Sequence, residues 1–254
     1  METTLSVQVF DDDREHDAAR VVLVHGAMDR GASFSRVVGY LHDLVVTTYD
    51  RRGYAHSMDA TVATALDDHV NDLIGILEGH SSVVIGHSLG GVIALAAASR
   101  RPELVQSAGV YESPMPWLDW WPSSTAGAQT LADSSDPGKA AENFMRFLVS
   151  DDAWEMLPMK TQQQRRAEGP ALLADLQSLR TVETPPFDPE TLPVPVGVAG
   201  GAETRQHHKD GCEAMAKMFD TEVQWIDGAG HGGHMSHPGP FAKFVRRCTG
   251  MRNL

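Results

Sequence analysis

Cysteine is scarce, with two among 254 residues. Cys212 and Cys248 lack any zinc-type spacing and fall in separate helix-like stretches, so free buried thiols are expected and not a disulfide or a metal pair. Long apolar runs are missing as well, since no stretch reaches the ~18 residues of a membrane span. The opening METTLSVQVFDDDREHD puts acids where a secretory leader needs basic residues and an apolar segment, and the expectation is a soluble, cytoplasmic protein. Positive charge is short: 21 Lys and Arg stand against 34 Asp and Glu, a formal net charge of -13. Without a basic run, the chain offers no footprint for nucleic acid or an anionic membrane surface. A small-molecule substrate is the expected partner, and oligomeric state is not legible. No internal repeat or linker divides the chain, so one domain is expected.

What is present is alternation. Hydrophobic residues make up 42% of the chain, and short β-branched runs alternate with longer helical patterns, the signature of βαβ units. Strands are expected at LSVQVF (5 to 10), RVVLVHG (20 to 26), LVVTTYD (44 to 50), SSVVIGHS (81 to 88), QSAGVYES (106 to 113), VPVGVAGG (194 to 201) and EVQWIDG (222 to 228). Helices are expected in FSRVVGYLHD, TALDDHVNDLIGILEG, the alanine-rich run after Ser88, and HPGPFAKFVRRC. The fold class that follows is α/β, a doubly wound, mostly parallel sheet.

The alternation fails between about residues 113 and 190. This segment holds Trp117, Trp120, Trp121 and Trp154, four of the five tryptophans, and a helical pattern in TQQQRRAEGPALLADLQSLR. The expected organisation is a core of 1–112 and 191–254 carrying a helical cap or lid insertion at 113–190. Its tryptophans either line a substrate pocket or fill the insertion's own small core.

Chemistry concentrates at GHSLG, where Ser88 stands between Gly86 and Gly90. A tight strand-to-helix turn forces the serine into a strained backbone and leaves no room for side chains two residues to either side. VVI supplies the strand and GVIALAAA the helix, so the hydroxyl would stand at a helix N-terminus; a serine there can also be a plain N-cap. A serine nucleophile needs a histidine held by a carboxylate. In WIDGAGHGGHMSHP, His231 follows the last strand in a glycine-rich loop; His234 competes with it, and His237, just before Pro238, reads as structural. For the acid, Glu203 in VAGGAETRQHHKDG is preferred, with Glu112 in GVYESP as the alternative. The N–H groups of Ala27, after His25 and Gly26, and of Leu89 would form the oxyanion hole. No HExxH pattern accompanies the histidines, so no metal is expected.

With HGAM at 25 to 28, YDRRGYAHS at 49 to 57, GHSLGG at 86 to 91, GGAE at 200 to 203 and GAGH at 228 to 231, the chain resembles the α/β-hydrolase superfamily over nearly all its length except the insertion. The resemblance implies Ser88 as nucleophile, His231 as general base, an acid at Glu203, and Ala27 and Leu89 in the oxyanion hole, with no cofactor. It departs in carrying Glu where Asp is commoner and in the extra histidines. Asp50 and Arg51 look like braces for loops near the site. A serine nucleophile argues against the aspartate-dependent dehalogenases and epoxide hydrolases of this fold. The implied activity is acyl chemistry of the carboxylesterase type on an ester, thioester or lactone. A non-catalytic small-molecule binding protein, an acyltransferase or a perhydrolase on the same fold are the alternatives.

Overall fold

A computed structural model describes residues 5–11, 18–182 and 184–251; the acidic stretch 12–17 lies outside the described residues. Seven strands, β1 (Val7–Phe10), β2 (Arg20–Val24), β3 (Val45–Tyr49), β4 (Ser82–His87), β5 (Val105–Tyr111), β6 (Val196–Gly201) and β7 (Val223–Ile226), form one sheet in the order β1-β3-β2-β4-β5-β6-β7. Only β1 runs antiparallel, against β3. All seven coincide with the β-branched runs of the sequence; the five inner strands need such runs because they are buried on both faces, while the edge strands β1 and β7 are partly exposed.

Side chains alternate across the sheet with period two. On one face Val22, Val24 and Val84 pack with α2 (Leu66–Leu77) and α3 (Leu89–Arg100). On the other, Val21, Leu23, Val83 and Ile85 meet Phe241, Phe244 and Val245 of α11 (Pro238–Thr249). The one-turn helices α1 (Ser35–Val38) and α10 (Gly233–Ser236), and α9 (Gln206–Met218), complete the layers. The expected helix over FSRVVGYLHD shrinks to a short 3-10 turn plus α1, since Gly39 ends it.

Between β5 and β6 the chain forms α4 (Ala126–Ala132), α5 (Pro137–Val149), α6 (Asp151–Glu155), α7 (Met159–Ala167) and α8 (Gly169–Arg180). The single helix expected over 161 to 180 is two, broken at Glu168. The buried Glu168 carboxylate accepts from the Arg30 and Arg165 guanidiniums and the Ala55 N–H, and a Cβ on Gly169 would lie 2.0 Å from the Pro137 carbonyl oxygen. These helices carry their own core of Phe144, Met145, Trp154 and Leu172, which also takes in Met28 and Tyr54 from the loops below. Both cysteines are buried and free, and burial raises each thiol to about 12. No helix among the described residues is long and apolar enough to cross a membrane.

Candidate active site

The site is built at the carboxyl ends of β2, β4 and β5 and in the loop after β7. Ser88 joins β4 to α3 with φ 53° and ψ -124°, a left-handed backbone that a non-glycine residue adopts only when its surroundings impose it. The packing that imposes it is severe: a Cβ on Gly86 would lie 2.2 Å from the Gly90 carbonyl carbon, and one on Gly90 2.1 Å from the Val24 carbonyl oxygen. Helix α3 therefore crosses β2 and β4 backbone against backbone, and its first turn lies directly behind the serine. The Ser88 N–H donates to the Tyr111 carbonyl at 2.8 Å, tying the turn to β5.

His231 and Ser88 line one cavity. The His231 Nδ1 lies 2.7 Å from Glu112 Oε2; with a carboxylate as acceptor the proton sits on Nδ1, and Nε2 keeps a lone pair. Glu112 is fully buried, immediately past β5 at φ 49°. Its Oε1 accepts from the Gly201 N–H at 2.8 Å and its Oε2 also from the Thr204 hydroxyl at 2.8 Å. The buried carboxylate thus has three hydrogen-bond partners, His231, Gly201 and Thr204.

The carboxylate on His231 is thus Glu112, and the preference for Glu203 is corrected. Glu203 is exposed; its N–H donates to the Ala229 carbonyl at 2.8 Å, which holds the β6–α9 turn against the histidine loop while the side chain stays at the surface. The signal that separates the two is their setting. Glu112 ends the buried run SAGVY, where a charge must be paired, whereas Glu203 opens a polar loop.

The competing His234 is fully buried, packed against Phe34 and Phe241 with its Nε2 3.1 Å from Asp29 Oδ2, and does not line the cavity. His237 meets the Ser236 hydroxyl at 2.9 Å at the start of α11. Ala27 and Leu89 both line the cavity, one after the β2 turn and one at the first position of α3. His25 is buried with Nε2 accepting the Arg51 N–H; burial, then the Arg51 charge, push its pKa down to about 3, so it is neutral. Arg51 donates to the carbonyls of His25 and Gly26 and forms a two-pronged pair with Asp175 of α8, at 3.0 and 2.7 Å. Asp50 Oδ1 accepts from the Gly31 N–H. These contacts fix the loop that carries Ala27.

Of the four tryptophans only Trp121 lines the cavity. Trp154 is wholly buried in the core of the inserted helices, with the Arg146 and Arg166 guanidiniums 5.8 and 5.5 Å from its ring centre. Trp117 packs edge-on against Phe187, and Trp120 is exposed beside Trp121. The wall is instead made by Leu131, Phe144, Phe147, Leu148, Leu176 and Leu179. The cavity volume is about 560 Å³, ample for a small ligand.

Two further histidines were not assigned from sequence. His208 lies nearly parallel to His231, ring centres 4.3 Å apart at 14°, and His207 leans on His208 at 4.1 Å with the rings tilted by 39°. Burial, then repulsion from His231 and His207, hold His208 well below the ordinary histidine range, so it faces the base as a neutral ring. Their only sequence signal was the HH pair in the first turn of α9. Potential metal ligands converge in two groups, Asp29 with His87 and His234, and Glu112 with His208 and His231. In the second, the facing atoms of Glu112 and His231 are already paired with each other at 2.7 Å.

The model of the alpha/beta hydrolase family matches residues 21–244. Lipase LipV of Mycobacterium tuberculosis is 32% identical over 90 residues, 34% of this chain and 34% of that one, so the match spans about a third of that relative. The sn-1-specific diacylglycerol lipase ABHD11 of Danio rerio is 23% identical over 265 residues, covering 95% of this chain and 81% of that one. Among solved structures, MGS-M2, an alpha/beta hydrolase enzyme from a Medee basin deep-sea metagenome library, has a TM-score of 0.78 at 17% identity, covering 98% of this chain and 95% of that one. At that identity the likeness is one of fold.

Proposed function

The chain belongs to the alpha/beta hydrolase family, and we propose that it is a serine hydrolase of the carboxylesterase type, cleaving an ester, thioester or lactone of a small, partly apolar molecule. The observation that carries this reading is His231, which lies 2.7 Å from Glu112 and lines one cavity with Ser88. Lipases among the relatives support the same reaction class.

Ser88 Oγ attacks the carbonyl carbon while His231 Nε2 takes its proton, and the buried Glu112 steadies the imidazolium that forms. The N–H groups of Ala27 and Leu89 hold the developing oxyanion, each worth about 3 kcal/mol at the transition state. His231 returns the proton to the leaving alcohol or thiol, and water, deprotonated by the same nitrogen, releases the acid and restores Ser88. The inserted helices act as a lid whose apolar side chains receive the acyl part. The proposed partner is this substrate alone, and every step uses residues of the chain and water.

Hydrolysis of p-nitrophenyl esters of increasing acyl length by wild type and Ser88→Ala tests the reading. The expected loss is at least about four orders of magnitude in kcat. Turnover that survives the substitution would overturn it.

A further inference from the structure

The cavity differs in charge from the molecule around it. The chain has 34 acidic and 21 basic residues, yet no aspartate or glutamate lines the cavity among the described residues. Its only permanently charged lining groups are Arg180 and Arg205. They arrive from separate elements, Arg180 as the last residue of α8 and Arg205 as the N-cap of α9. Two cations in a mostly apolar wall, with no acid among the lining residues, form a local positive field in a strongly negative protein.

Arg205 is set in place. Its guanidinium carbon stands 3.8 Å from the centre of the Phe147 ring, and one Nη2 proton goes to the Phe147 carbonyl at 3.2 Å. That contact joins the β6–α9 turn to α5 and leaves the other guanidinium N–H groups without a carboxylate. Arg180 makes no hydrogen bond or ion pair among the described residues. His207 and His208, which line the same cavity, are disfavoured as cations. Burial, then the Arg205 charge, lower the pKa of His207, and His208 is lower still. The α9 N-terminus adds its partial positive charge beside Arg205. Leu131, Phe144, Phe147, Leu148, Leu176 and Leu179 supply apolar surface in the same cavity.

We propose that the substrate's acyl part ends in a carboxylate, and that Arg205 and Arg180 select for it. This rests on the serine hydrolase reading of the site. A guanidinium grips a carboxylate through paired N–H donors, and the apolar wall between holds the methylene stem. A neutral ester of equal length forfeits the charged hydrogen bonds, a loss of about tenfold to a hundredfold in kcat/KM.

The test is a matched pair of eight-carbon esters, mono-p-nitrophenyl suberate and p-nitrophenyl octanoate, turned over by wild type, Arg205→Gln, Arg180→Gln and Arg205→Glu. Binding of suberate to the Ser88→Ala protein and its Arg205→Gln double variant is measured by calorimetry alongside. Wild type is expected to prefer the suberate ester; each Gln variant lowers that preference at least about tenfold, and Arg205→Glu reverses it. An equal ratio in all four proteins, with both esters hydrolysed, overturns the carboxylate proposal and leaves the hydrolase reading standing. Suberate binding that depends on Arg205, with neither ester hydrolysed, supports the anion site and removes the hydrolase reading. Neither hydrolysis nor binding overturns both.

Discussion

His231 Nδ1 and Glu112 Oε2 lie 2.7 Å apart, although 119 residues of chain separate them. The pairing joins the end of the strand beside the nucleophile strand to the loop after the last strand. It gives a direct contrast. Glu112→Gln, which can no longer stabilise the imidazolium, is expected to lower kcat by about three to four orders of magnitude. Glu203→Gln, at an exposed position, should stay within about twofold of wild type. Steady-state kinetics on one p-nitrophenyl ester decides it, and the reverse ordering would return the acid to Glu203.

The turn around Ser88 is held by close backbone contact, not by hydrogen bonding of the serine side chain. A Cβ at residue 90 would stand 2.1 Å from the Val24 carbonyl oxygen, which neither β2 nor α3 can yield without separating. Gly90→Ala is therefore expected to cost more than about 3 kcal/mol or to prevent folding. By contrast Gly75→Ala, on the open side of α2 with nothing within 4 Å, should stabilise by up to about 1 kcal/mol. Denaturant melts of both variants check the contrast, and equal effects would refute it.

A buried ion pair links the chain after β3, which braces the loop carrying Ala27, to the inserted helices. Arg51 and Asp175 are both fully buried, and Asp175 also accepts the Tyr54 hydroxyl at 2.7 Å. Asp175→Asn leaves the guanidinium in a low-dielectric site without its counter-charge, for an expected loss of about 3 to 5 kcal/mol. Arg51→Met with Asp175→Leu removes both charges and should be less damaging than the single change. Urea unfolding of the three proteins tests this; a double variant worse than Asp175→Asn would show that the pair contributes more than mutual compensation.

The sheet was legible because burial on two faces leaves a continuous β-branched signature in the inner strands, such as RVVLV, VVTTY and SVVIG, and the partly exposed edge strands β1 and β7 keep shorter runs of the same kind. Ser88 and His231 were legible for a related reason: the glycines that their tight turns need, at 86, 90, 228 and 230, are themselves visible. The acid was harder, because a carboxylate leaves no mark of which neighbour it reaches; strand order decides that Glu112, next to β4, meets the histidine. The tryptophans misled for the opposite reason. A large ring is equally suited to a core and a pocket, and Trp154 went to the core, packed with Phe144, Met145 and Leu172 and with the Arg146 and Arg166 guanidiniums beside it.

Three buried histidines make stability depend on pH in a definite direction. His25 is brought down to about 3 by burial and then Arg51. His87 and His208 lie well below 6.5, by burial first and then by their histidine neighbours. In the unfolded chain each takes up a proton near pH 6.5. Between that value and the folded pKa the unfolded state binds more protons, so stability falls as pH falls. Each histidine adds a slope of up to about 1.4 kcal/mol per pH unit in this window, whose upper part, from about pH 6.5 to about 5, lies above the range where carboxylates titrate. Thermal melts from pH 7.5 to 4.5 should show Tm dropping steadily below about 6.5. His25→Asn should start lower, having lost the acceptor for the Arg51 N–H, and fall less steeply. A Tm that stays level from pH 6.5 to 4.5 would mean that these rings are already charged in the fold, against their burial and their neighbours.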